Sequence, residues 1–185
     1  MICRLVVITI AIFALQSVLA AEISEASNYR QYSELLSSSG QPDDAQLAHA
    51  AAQEFERVIY LSNNDSTAER EENVVTDLGM DFVYIPVDFH HPTVSDFRLF
   101  ATTMNSAGDA KTLLHCDVNL RASTFSFLYR VAVLDVPVAD AKKDLDSVWT
   151  PDETWFRFLR SVLEGYGRSH ECAGCDWGEH EFIDD

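Results

Sequence analysis

From Lys111 onward the apolar pattern changes period within a few residues, and this change dictates the local architecture. Thr112-Leu113-Leu114 is a short apolar run of the kind that forms a buried strand, whereas Phe125, Phe127, Leu128, Val131 and Val133 recur as a helix face. Between them lies His115-Cys116-Asp117-Val118-Asn119-Leu120, with Arg121 opening the helix. The sequence therefore sets a thiol on a strand-to-helix turn. Backbone N–H groups at such a turn, together with the positive end of the following helix, attract an anion and favour a nearby thiolate. Arg121 adds a planar fork suited to oxyanions. The loop lacks glycine, so Asn119 is expected to take any positive-φ position.

The same alternation runs through the chain. Leu35-Leu36 leads into the turn chemistry of residues 37–42, and Pro42-Asp43-Asp44 opens a helix with Leu47, Ala51 and Phe55 on one face. Val58 to Leu61 reads as a buried strand, residues 62–66 as a loop, and Glu69 to Leu78 as an amphipathic helix stopped by Gly79. Phe82 to Val87 is the next strand. Thr93 then caps a helix with Asp96 as its reciprocal partner and Phe97, Phe100 and Met104 facing inward. Residues 136–147 form a further helix, and Thr150-Pro151-Asp152-Glu153 starts the last one, with Trp155, Phe156, Phe158, Leu159 and Val162 packing on the domain. Strands alternating with helices predict an α/β protein: a three-layer α/β/α sandwich around a short, mainly parallel sheet, spanning residues 35–165. A ligand is expected at the carboxyl ends of the strands.

The ends of the chain read differently. Arg4 precedes the apolar run Leu5 to Leu15, and Val18-Leu19-Ala20 supplies a small residue at a cleavage point, so residues 1–20 are expected to be a signal peptide and the protein periplasmic or secreted. Residues 21–34 are expected to form a tether with an edge element, and 166–185 a loose acidic tail. Cys3 departs with the leader, and in an oxidising space Cys172 and Cys175 are expected to close on each other, leaving Cys116 free. His170, Glu171 and His180 give the tail a zinc-like composition, but no second rigid ligand pair accompanies them, so no metal site is expected. The formal charge of −17 disfavours nucleic acid and anionic lipid and favours a soluble monomer with no membrane contact after cleavage, or a cationic partner.

His115-Cys116, a cradle loop and Arg121 resemble the signature of the cysteine-dependent phosphatase superfamily. Ser39-Gly40-Gln41-Pro42, Val58-Ile59-Tyr60-Leu61, Leu78-Gly79-Met80, Ile85-Pro86-Val87-Asp88 and Pro92-Thr93 extend the likeness over roughly residues 35–160, in the order of the beta-lactamase-hydrolase-like phosphatase family. The resemblance implies a protein tyrosine phosphatase-like fold and hydrolysis of a phosphate monoester, on a small molecule or a protein, with no cofactor. Cys116 would be the nucleophile, Arg121 the oxyanion clamp and Asp88 the general acid, the last because related dual-specificity enzymes carry an Asp four residues before a Pro. Asp117, Val118, Asn119 and Leu120 would line the cradle, with His115 bonding the loop and Ser123 the cysteine sulfur. Bland roles compete: Asp88 as a loop cap, Ser123 as an ordinary backbone partner. Only four residues separate Cys116 from Arg121, where ordinary tyrosine phosphatases have five. Four is also the rhodanese spacing, which keeps a sulfurtransferase in play, and Asp117 beside an anion site keeps a catalytically silent binding module in play.

Overall fold

The computed structural model describes residues 21–106 and 108–178. The expected signal peptide and His180 lie outside them. Five strands form one sheet in the order β1 (Arg30–Gln31), β2 (Leu36–Ser39), β5 (Thr112–His115), β3 (Arg57–Leu61) and β4 (Asp81–Ile85). All neighbours are parallel except β1, which pairs antiparallel at the edge. The helices between and after the strands are α1 (Asp44–Ala52), α2 (Asp65–Asp77), α3 (Val94–Ser106), α4 (Leu120–Ala132), α5 (Val138–Asp146) and α6 (Glu153–Gly165). The fold is the α/β sandwich expected from the alternation of strand and helix patterns.

Side-chain alternation along the central strands explains the three layers, because successive residues of a strand point to opposite faces. Val58 and Leu113 join Leu47, Ala50 and Val75 in a core under α1 and α2. Ile59, Leu61 and Leu114 join Phe97, Phe100, Phe125, Trp155 and Leu159 in the larger core under α3, α4 and α6. A strand buried on both sides has no polar face, which is why Leu113 and Leu114 are both fully buried. The caps at Asp43, Asn64, Thr93 and Asp152 each accept from the backbone three residues on.

Several local expectations are corrected. Helix α2 begins at Asp65, inside the expected loop, because the Asn64 side chain caps it through Thr67 N–H. Helix α6 is capped by Asp152, so Pro151 precedes the cap instead of occupying the first turn. Residues 21–34 are no tether: a 3₁₀ turn at Ile23–Glu25 buries Ile23 and Ala26 against α1, and Arg30 reaches Ser147. Nor is the described part of the tail loose. Trp177 is buried against Phe127 and Phe156, with the Lys142 ammonium 4.6 Å from its ring centre. Cys172 and Cys175 are joined, with Cα atoms 5.3 Å apart.

Candidate active site

The loop from Cys116 to Leu120 leaves the carboxyl end of β5 and enters α4 through Asn119, whose φ of 72° is the left-handed conformation that asparagine tolerates better than most side chains. Its side-chain amide donates to Asn28 O at 2.6 Å, fixing the turn to the N-terminal segment. The loop rests on Gly40: a Cβ there would lie 3.0 Å from Asp117 O and 2.9 Å from Ser27 Cβ, so only glycine permits this approach. Gln41 N–H donates to Asp117 O, and the Asn28 amide to Val118 O. Loop carbonyls are thereby occupied, while the first N–H groups of α4 have no intrahelical acceptor.

A cavity of about 320 Å³ opens over this loop, lined by Phe89, Cys116, Asp117, Val118, Leu120 and Arg121. Cys116 is a free thiol, only 1% exposed, and lines this cavity. The Arg121 side chain is also buried. Its Nη1 is 3.4 Å from Leu61 O and 3.2 Å from Asp117 Oδ2, its guanidinium lies 5.5 Å from the Phe89 ring centre, and its Nε has no hydrogen-bond partner among the described residues. A guanidinium that lines a cavity beside a thiol is suited to an oxyanion, because its planar fork of donors matches oxyanion geometry.

Beneath the loop, His115 continues the alternation of β5 and faces α2. Its Nε2 lies 2.6 Å from Glu71 Oε1, both side chains wholly buried, and its ring stacks on Tyr60 with centroids 4.8 Å apart. Glu71 Oε2 accepts from the Gln41 amide at 2.7 Å. His115 thus braces the strand end that carries Cys116. Burial, the largest cause, raises the Tyr60 phenol above its ordinary value.

Asp88 stands just outside the cavity, although its neighbour Phe89 forms a wall. Its Oδ1 accepts from His90 N–H at 2.8 Å and its Oδ2 lies 3.1 Å from His91 Nδ1; the first contact, then the second, hold the carboxyl below its ordinary value. The carboxylate caps its own loop in this state. Ser123 donates to Leu120 O at 3.1 Å rather than to the sulfur. Of the residues anticipated from sequence, Cys116, Asp117, Val118, Leu120 and Arg121 meet at one cavity, Asn119 and His115 support it from behind, and Asp88 and Ser123 point their polar atoms elsewhere. Sequence reasoning missed Phe89 and Glu71. Glu71 carried a signal: it falls in the Ala68, Glu71, Val75 stripe, where a buried carboxylate needs a partner.

Comparison with solved structures decides the family. A candidate phosphatase of the DUF442 family from Shewanella putrefaciens CN-32 is 30% identical, with a TM-score of 0.70 over 78% of this chain and 96% of that one. The chain belongs to the DUF442 family. The DUF442 protein also shares the fold of Tk-PTP, at 16% identity and TM-score 0.64 over 74% of this chain and 97% of that one. It likewise shares the fold of P. aeruginosa TpbA in complex with pTyr, at 16% identity and TM-score 0.63 over 80% and 91%. These two likenesses concern the fold. No family model and no curated protein matches the sequence. The DUF442 chain is therefore phosphatase-like in family and tyrosine phosphatase-like in architecture.

Proposed function

We propose that the protein is an exported cysteine-dependent phosphatase, akin to the beta-lactamase-hydrolase-like phosphatases, acting on a phosphate monoester. The observation that carries this reading is that Cys116 and Arg121 line one cavity at the start of α4. The Cys116 thiolate attacks phosphorus; an S–P bond forms as the ester P–O bond breaks, and the alcohol leaves with a proton. Water then cleaves the S–P bond, releasing inorganic phosphate and restoring the thiolate. Arg121 and the N–H groups opening α4 hold the non-bridging oxygens throughout. Asp88 supplies the leaving-group proton after its carboxyl swings off His90 and His91, a movement its half-exposed position allows.

Reduced full-length protein should release phosphate from p-nitrophenyl phosphate, and acid quench during turnover should trap phosphate on Cys116. Cys116→Ser should abolish both. Absence of turnover and of trapping from a folded, reduced protein overturns the reading.

The four-residue interval between Cys116 and Arg121 favours a second reading, a sulfurtransferase. Here Cys116 attacks the outer sulfur of thiosulfate, the S–S bond breaks to release sulfite, and cyanide removes the sulfur as thiocyanate. Thiocyanate formation unaffected by Asp88→Asn would choose this reading.

A further inference from the structure

Asp117 lines the Cys116 cavity and already holds the guanidinium that an oxyanion needs. Its Oδ2 lies 3.2 Å from Arg121 Nη1, and its Oδ1 accepts from the Ser62 hydroxyl at 3.2 Å. The two partners differ in freedom: the Arg121 side chain is 7% exposed and the Asp117 side chain 57%. When an oxyanion takes Nη1, it is therefore the carboxylate that gives way.

A displaced Asp117 is then left beside a phosphoryl group, in a cavity walled by Phe89, Val118 and Leu120. Like charges held close in a partly desolvated site repel strongly. The formal charge of −17 opposes a dianion further. A ligand that brings its own cation relieves both costs, since it pairs with the released carboxylate and arrives with less net negative charge.

We propose that the site takes a phosphate monoester whose alcohol part carries an ammonium group a short alkyl chain from the ester oxygen. The phosphoryl group binds Arg121 and the amides opening α4, the ammonium binds Asp117, and the alkyl segment lies along the apolar wall. This rests on the phosphatase reading above and uses the same step: the S–P bond forms as the P–O bond breaks, and the amino alcohol departs with its proton.

The test compares 2-aminoethyl phosphate with its N-acetyl derivative, which keeps the ester and loses the cation. With reduced full-length protein at low ionic strength, kcat/KM should favour the amine by about 1.4- to fivefold, the range expected for a partly exposed ion pair. The same ratio in Asp117→Asn should fall close to one; because it is a ratio within one variant, any change in overall activity cancels. Equal kcat/KM values in the unaltered protein overturn the proposal, as does a preference that survives in Asp117→Asn. If p-nitrophenyl phosphate labels Cys116 while neither alkyl ester is hydrolysed, the substrate assignment fails and the phosphatase reading stands. If no ester labels Cys116, the phosphatase reading fails and takes this proposal with it.

Discussion

Asp88 and His115 show how the same residue types are turned to different ends by their partners. The Asp88 carboxyl is held below its ordinary value of 3.8 by His90 N–H and then by His91, so at neutral pH it is ionised and its acid form is scarce. Proton donation needs the acid form, which declines about tenfold per pH unit above the pKa. For an alkyl phosphate, whose leaving group requires a proton, kcat should therefore fall as pH rises above the carboxylate range. Asp88→Asn should lower kcat by about a hundredfold and flatten that limb, while p-nitrophenyl phosphate, with its good leaving group, should barely respond. A pH profile of kcat for the two esters checks this; equal losses on both esters would show that Asp88 only shapes its loop. His115 and Glu71, by contrast, are wholly buried and 2.6 Å apart, so each depends on the other. Glu71→Ala leaves the imidazole without its close carboxylate and the Gln41 amide without its acceptor, and should cost about 3–5 kcal/mol in urea unfolding. Cys116, Arg121 and the positive φ of Asn119 were legible because their chemistry is local to one loop. The Glu71 pairing was not, because only the register of β5 against β3 and the packing of α2 bring that carboxylate to the histidine.

At the scale of elements, β3, β4 and β5 were legible from short apolar runs and the helices from their period, since burial writes itself into the sequence; β2 was not, because Leu36–Ser39 is mostly serine and reads as turn chemistry until its pairing with β1 and β5 is seen. The ends were less legible. Residues 166–178 read as polar, yet Trp177 anchors them beside smaller contacts such as Tyr166 on Phe97: it is 1% exposed and contacts Phe127 of α4 and Phe156 of α6. One large aromatic ring, burying on the order of 150–250 Å², can hold a segment whose average composition is hydrophilic. Trp177→Ala should destabilise the protein by about 3–5 kcal/mol, in the range of a buried aromatic truncation, and should raise amide exchange in residues 166–178 before the rest of the chain. Unchanged melting and exchange would mean that Trp177 does not anchor the segment. The start of α2 illustrates the other limit. Asn64 was placed in a loop from its polar neighbours, yet a capping side chain and a loop side chain have the same composition, and only the bond to Thr67 N–H separates them.

For the whole molecule, two fields of opposite sign act on the same cavity, and their ranges differ. The formal charge of −17 repels anions over distances that salt screens, with a Debye length of about 10 Å at 0.1 M and about 3 Å at 1 M. Arg121 and the amides opening α4 attract them at contact distance, from buried positions that salt screens much less. Alkylation of Cys116 separates the two terms, because iodoacetate carries a charge and iodoacetamide does not, while both meet the same sulfur. At low ionic strength the long-range repulsion should hold the iodoacetate rate down. As salt is raised the repulsion fades and the contact attraction persists, so the ratio of iodoacetate to iodoacetamide rates should climb. Phosphate added at constant ionic strength should slow both reagents by occupying the cavity over Cys116. A ratio that stays flat or falls with salt would overturn this, because it would mean that the surface charge does not hold the anion back at this cavity.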